Sequence, residues 1–156
     1  MEPIDNRAEI DDLPDGDGRP GVDARSQVEN RLRIDARPGV ETRLRVRYAE
    51  TDQMGVVYYA NYLVWMEVGR VELCRAAGIR YRDMEVGDGI LLVVAETSCR
   101  YRAPARYDDE IRIQTWIGQA TPRLIRFEYE FFDMTTGNLL ATGLTKHIFC
   151  GPDLRP

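Results

Sequence analysis

The sequence predicts an α+β domain in which one helix packs on an antiparallel sheet. Three observations carry this. One segment has apolar residues at helical spacing over several turns. Five segments alternate apolar and polar residues with a period of two. The later alternating segments are joined by short connections rich in turn residues.

The chain has 156 residues, enough for one domain with a hydrophobic core. Its net charge of -5 argues against a general nucleic-acid binder, which would carry a basic surplus. The first residues, Met1-Glu2-Pro3-Ile4-Asp5-Asn6, lack the basic start and apolar stretch of a secretory signal. No apolar run approaches the length needed to span a bilayer. Cys74, Cys99 and Cys150 are odd in number and lack C-x-x-C spacing. They read as reduced, buried small hydrophobes in a cytoplasmic protein.

Composition breaks near residue 42. No aromatic residue precedes Tyr48, and Pro3, Pro14, Pro20 and Pro38 are spread through a segment rich in Asp, Arg and Gly. Such a segment buries too little apolar surface to offset its ordering entropy. Residues 1–41 are therefore expected to form a disordered extension, with at most a short helix around Val28 to Ile34. The folded domain is expected over 42–150, followed by a tail at 151–156.

Arg43 to Tyr48 alternates strictly and reads as the first strand. An acidic turn follows. The helix runs from about Ala60 to Ala77, with an apolar stripe at Tyr62, Met66, Gly69, Leu73 and Ala76. Gly69 on that stripe implies close approach to the sheet. Arg75 and Gly78 are stop signals. Residues 79–89 form a loop with a short helical turn at Tyr81 to Met84.

Four strands in antiparallel succession are expected next. Leu91 to Arg102 would place Val93, Ala95, Thr97, Cys99 and Tyr101 on one face. Glu110 to Gly118 carries Ile111, Ile113, Thr115 and Ile117 on one side. Leu124 to Asp133 carries Ile125, Phe127, Tyr129 and Phe131. Leu139 to Phe149 closes the domain. The runs 120–123 and 135–138 read as hairpin connections.

The chemistry narrows by exclusion. His147 is the only histidine, and it reads as a strand residue at a sheet surface or interface. Ser26 and Ser98 are the only serines, and neither sits in G-x-S-x-G. Metal-ligand spacings, a dinucleotide motif and a phosphate-binding loop are absent, so neither metal nor cofactor is called for. Carboxylates remain. Glu50 and Asp52 sit two apart where the first strand ends. Asp52 lies just ahead of a helix start, whose N–H donors and partial positive charge can stabilise an oxyanion. Asp also favours turns and caps, so a turn role and a hydrolytic role both stand on the residues alone. Glu67 reads as a surface residue within reach of Arg70 at i,i+3.

The run Tyr48-Ala49-Glu50-Thr51-Asp52-Gln53-Met54-Gly55-Val56-Val57-Tyr58-Tyr59-Ala60-Asn61-Tyr62, then Trp65-Met66-Glu67 and Gly69-Arg70, resembles the 4-hydroxybenzoyl-CoA thioesterase family. The run from Cys99 to Glu110 resembles it too. The likeness covers about residues 42–150 and is nearest the short acyl-CoA thioesterases that include Tol-Pal-associated members. The resemblance implies a hotdog fold, with a long helix wrapped by a five-stranded antiparallel sheet. It implies a homodimer or homotetramer with interfacial active sites, an acyl-CoA substrate and no cofactor.

By the same resemblance, Asp52 matches the catalytic aspartate, as nucleophile or general base. The backbone N–H of Tyr59 matches the donor to the thioester carbonyl. Relatives often carry His there, a change that a backbone donor tolerates. Tyr58, Asn61 and Tyr62 would line the pocket, although ordinary packing accounts for each equally well. Arg123 falls where a basic residue approaches the CoA phosphates.

Three other readings stand beside this one. Arg100, Arg102, Arg106 and Arg123 could form a basic patch for an acyl carrier protein thioester. A hydratase of the same fold would pair a histidine with a carboxylate at the helix start, and His147 lies far along the chain. A non-catalytic acyl-thioester binder would have no use for Asp52.

Overall fold

The computed structural model describes residues 39–156. The expected helix around residues 28–34, and all but the end of the expected extension, lie outside the described residues. Strand β1 spans Val40–Arg45, and a 3-10 turn covers Tyr48–Glu50. Helix α1 spans Asn61–Ala76 and helix α2 spans Tyr81–Gly87. Strands β2, β3, β4 and β5 span Leu91–Tyr101, Glu110–Ala120, Leu124–Asp133 and Leu139–Cys150. They form one five-stranded sheet, antiparallel throughout, in the order β1-β3-β4-β5-β2.

Two departures from the sequence reading concern β1 and β2. Strand β1 begins at Val40, ahead of the boundary placed at 42, and stops at Arg45 because the chain turns into the 3-10 segment. The four later strands do not lie side by side in succession. Only β3, β4 and β5 form a hairpin-linked meander. Strand β2 crosses to the far edge and pairs with β5, while β1 pairs with β3 on the opposite edge.

The inward face of the sheet is built by alternation. Ile111, Ile113 and Thr115 of β3, and Ile125, Phe127, Tyr129 and Phe131 of β4, are all buried. They meet Tyr62, Trp65, Met66, Gly69, Leu73 and Cys74 of α1. Fully burying one large apolar side chain contributes about 1.5–3 kcal/mol, so this layer is the main source of stability. A Cβ on Gly69 would collide with Thr115 Oγ1 and come within 3.2 Å of Ile113 Cγ2. The expected close approach is therefore present. Ala76 departs from the expected stripe: it is exposed, and Trp65 and Cys74 are buried instead.

Helix α1 ends as its sequence predicts. Gly78 adopts φ +74°, its N–H reaches the Arg75 carbonyl at 2.9 Å, and the Ile79 N–H reaches the Cys74 carbonyl at 2.8 Å. Helix α2 extends past the single turn expected there.

On β2 the expected face breaks at a bulge. Val94 opposes His147 and Glu96 opposes Lys146, leaving Ala95 unpaired. The extra residue reverses the alternation. Leu92 and Val94, rather than Val93, therefore lie on the same side of the sheet as Thr97, Cys99 and Tyr101, and Val94 is exposed there. His147 corrects the sequence reading in another way. It is not at a sheet surface but fully buried on β5, with Nε2 2.9 Å from Thr145 Oγ1. Cys74 and Cys150 are buried, Cys99 is half-buried, and all three are free thiols. Among the described residues no helix is long and apolar enough to cross a membrane.

Candidate active site

The site is built on the chain between β1 and α1. The Val46 N–H donates to the Asp109 carbonyl at 2.9 Å, and the Asp108 N–H donates to the Val46 carbonyl at 3.1 Å. The 3-10 turn Tyr48–Glu50 then redirects the chain. Thr51 and Val57 form an isolated antiparallel bridge that closes a loop around Asp52. Inside it, the Asp52 N–H donates to the Val56 carbonyl and the Gly55 N–H to the Asp52 carbonyl, both at 2.9 Å. Gly55 has φ +73°, a conformation that glycine adopts at no steric cost.

The Asp52 side chain is partly exposed. Its Oδ1 accepts the Met54 N–H at 2.8 Å, the Asx-turn geometry expected of Asp in a turn. Its Oδ2 has no hydrogen-bond partner among the described residues. The turn role and the chemical role are thus compatible: one oxygen is anchored and the other is open.

The loop leads directly into the helix start. The Val57 N–H donates to the Ala105 carbonyl at 2.8 Å and the Tyr58 N–H to the Glu50 carbonyl at 2.9 Å. The Asn61 N–H then donates to the Tyr58 carbonyl at 2.9 Å, and the Leu63 N–H to the Ala60 carbonyl at 3.0 Å. The N–H groups of Tyr59 and Ala60 have no acceptor among the described residues. These are the open donors that a helix start leaves, at the positive end of the peptide dipoles.

Glu50 is buried at 5% exposure. Its carboxylate accepts from the Arg47 N–H at 2.8 Å, Arg47 Nη2 at 2.9 Å and the Trp65 indole N–H at 3.0 Å. Burial pushes its pKa up, but the hydrogen bonds from Arg47 and Trp65 outweigh this and hold it below the ordinary carboxylate range.

Two stretches distant in sequence meet here. The run from Cys99 to Glu110 supplies Ala105, Asp108 and Asp109 to the backbone contacts above. It also supplies Tyr101, whose hydroxyl donates to the Tyr59 carbonyl at 3.0 Å. Burial and the Cys99 thiol hold Tyr101 above the ordinary phenol range, so its O–H remains a donor. The rings of Tyr48 and Tyr107 meet edge-on at 5.8 Å. Sequence reasoning noted the second run but assigned no role to Tyr101 or Ala105. The only available signal was that both runs carried the same family likeness.

The expected site residues separate into groups. Asp52 and Tyr59 flank one continuous hydrogen-bonded segment. The Tyr58 ring is exposed and tilts against the Tyr59 ring at 4.5 Å. Asn61 turns inward, and its Nδ2 donates to the Glu50 carbonyl at 2.8 Å. Tyr62 lies in the core at 2% exposure, against Trp65, Tyr101 and Phe131, and burial raises its pKa to about 12.

Arg123 lies in the β3–β4 hairpin, whereas the Asp52 loop adjoins the opposite end of β3 at Glu110. At about 3.3 Å per residue, the length of β3 separates them by roughly 30 Å within one chain. The expected Glu67–Arg70 pair is not formed: Arg70 Nε donates to the Tyr81 hydroxyl at 2.8 Å. An open depression of about 580 Å³ on the outer sheet face is lined by Arg100, Trp116, Glu128 and Glu130 among others; it includes Arg100 of the expected basic patch but neither Asp52 nor Tyr59.

One long helix on a five-stranded antiparallel sheet, with an acidic loop laced to the start of that helix, is the architecture of a hotdog-fold domain. Residues 46–155 match the model of the thioesterase-like superfamily, and the chain belongs to that superfamily. It is similar to YneP of Bacillus subtilis (strain 168), a protein named as a candidate acyl-CoA thioesterase. The identity is 42% over 103 residues, covering 66% of this chain and 73% of that protein. It is similar to the acyl-CoA thioester hydrolase YbgC of Escherichia coli O6:H1, with 38% identity over 73 residues, covering 47% of this chain and 54% of YbgC. Among solved structures, the DHNA-CoA thioesterase of Staphylococcus aureus superposes with a TM-score of 0.71 at 34% identity. That match covers 74% of this chain and 77% of that one.

Proposed function

We propose that the chain hydrolyses an acyl-CoA thioester to a free carboxylic acid and CoA, and that Asp52 and the backbone N–H of Tyr59 do the chemistry. The observation that carries this reading is the open Asp52 Oδ2 on a closed loop that runs directly into a helix start with two unaccepted N–H groups. Thioester hydrolysis builds negative charge on the carbonyl oxygen, and preformed donors stabilise that charge without reorganising. The names of the relatives support the substrate class.

Two routes fit an ionised Asp52. In one, the carboxylate attacks the thioester carbon and expels CoA thiolate, and water then cleaves the mixed anhydride. In the other, Asp52 takes a proton from a water molecule that attacks the same carbon. The thiolate is protonated on release in either case.

The substrate would lie between two copies of the chain. Arg123 would then approach the CoA phosphates of a neighbouring copy's site, since its own Asp52 lies at the other end of β3. Tyr58 and the exposed face of α1 at Leu63, Val64 and Val68 would then border the acyl group. Within the superfamily, the reading is a short YbgC-like acyl-CoA thioesterase acting in the cytoplasm.

The test is turnover of a panel of short, long, branched and aromatic acyl-CoAs, read as thiol release, with matched carrier-protein thioesters alongside. Asp52→Asn and Asp52→Ala should abolish hydrolysis while far-UV circular dichroism stays unchanged. Full turnover by either variant sinks the assignment. Single turnover in labelled water separates the routes: label entering Asp52 marks the anhydride.

A further inference from the structure

We infer that Glu50 is the positioning residue of this site: it joins the incoming strand, the Asp52 loop and the first turns of α1. The inference rests on the proposed reaction for its kinetic consequence and on hydrogen bonds for its geometry.

Glu50 is the only carboxylate among the buried side chains of the described residues. Removing such a group from water costs several kcal/mol unless its oxygens are matched by donors. Here they are matched on both sides. Arg47 supplies a backbone N–H and a guanidinium N–H from before the turn. Trp65, itself 1% exposed, supplies its indole N–H from the second turn of α1. The Glu50 carbonyl accepts the Tyr58 N–H and Asn61 Nδ2.

Glu50 therefore accepts five hydrogen bonds from three segments. Each has a geometric consequence for the chemistry. The Tyr58 N–H bond brings the exit of the loop back to its entrance, two residues ahead of Asp52. The Asn61 and Trp65 bonds fix the same point to the helix whose first N–H groups are open. Moving Glu50 thus moves Asp52 relative to the Tyr59 N–H. A buried ion pair is not needed for stability, since a well-packed apolar substitute is often as stable. A carboxylate with a donor from each side is what registers the loop against the helix. Glu50 is enclosed by these partners, so it acts through Asp52 and Tyr59 and not on substrate.

The test compares Glu50→Gln and Trp65→Phe in the full chain. Glutamine keeps the size but turns an NH₂ group toward donors, and phenylalanine keeps the packing but deletes the indole N–H. The readouts are kcat and KM on an acyl-CoA that the wild type turns over, and amide hydrogen exchange of residues 51–60 against β3–β5. The expected result is a kcat lower by about tenfold or more in Glu50→Gln and about threefold in Trp65→Phe, with KM within about twofold. Exchange should quicken in 51–60 alone.

A kcat within twofold of wild type in both folded variants overturns the inference, as does exchange that quickens equally across the sheet. A KM rise at constant kcat also overturns it, because it marks a substrate contact. If Glu50→Gln does not fold, Trp65→Phe and Glu50→Asp decide by the same criteria. A wild type that turns over no thioester sinks the proposed reaction. The exchange arm then decides separately whether Glu50 holds the loop, and unchanged exchange rejects it.

Discussion

The hydroxyl of Tyr101 donates a 3.0 Å hydrogen bond to the carbonyl oxygen of Tyr59. Tyr101 closes the edge strand β2, and Tyr59 sits in the turn that opens α1. The bond therefore ties the outermost strand to the backbone that the proposed chemistry uses. It also leaves the Tyr59 N–H open while holding its carbonyl in place.

Replacing Tyr101 by Phe removes that bond and keeps the ring packed on Tyr62. The expected outcome is a kcat lower by about two- to tenfold, equivalent to about 0.4–1.4 kcal/mol, with little change in thermal midpoint. Steady-state kinetics beside a melting curve checks it. An unchanged kcat would show that the turn keeps its shape without β2.

Gly55→Ala and Gly69→Ala should fail for different reasons. At Gly55 there is room for a methyl group, since the nearest heavy atom is Arg106 Nη1 at 4.0 Å, but φ is +73°. The cost is backbone strain of about 1–2 kcal/mol, concentrated in the loop that holds Asp52. Activity should fall more than stability does.

At Gly69 the obstacle is steric, because a methyl group would press on Thr115 and Ile113. Overpacking there should cost about 1–3 kcal/mol and lower the unfolding midpoint, with the kcat of the folded fraction nearly unchanged. Urea unfolding and activity measured on the same samples separate the two substitutions.

His147 predicts acid lability. It is fully buried, and burial with the nearby Arg70 charge outweighs a backbone hydrogen bond with Leu92 and lowers its pKa from 6.5 to about 4. The unfolded chain therefore takes up a proton below about pH 6.5 that the folded chain refuses until about pH 4. Stability is complete above that window and falls as pH drops through it. The shift corresponds to about 3 kcal/mol. Unfolding free energies from pH 7 to 4.5 should show this slope, and His147→Gln should flatten it.

How much of this was legible in the sequence depends on how local each signal is. Strand β4 was readable residue for residue, because Ile125, Phe127, Tyr129 and Phe131 alternate without interruption. The same alternation misleads on β2, where the bulge at Ala95 changes the facing set and no residue type announces it. Strand order was not legible, since the pairing of β2 with β5 is a non-local choice. In the site, Asp52 and the helix start lie on one short stretch and were found together. The inward turn of Asn61 onto Glu50 and the reach of Tyr101 to Tyr59 depend on tertiary contacts that spacing does not encode. Glu50 was visible as a carboxylate, but its burial under Trp65 was not.

The strand order also bears on how the protein comes to be active during folding. The meander β3-β4-β5 closes through short hairpins, whereas β1 and β2 must each find a partner across a long intervening stretch, at greater loop-closure cost. The Asp52 loop hangs from β1, and its far side is held by Tyr101 on β2. The two outer strands should therefore be the last to be secured, and they border the candidate site. Recovery of activity after dilution from denaturant should lag behind recovery of sheet signal.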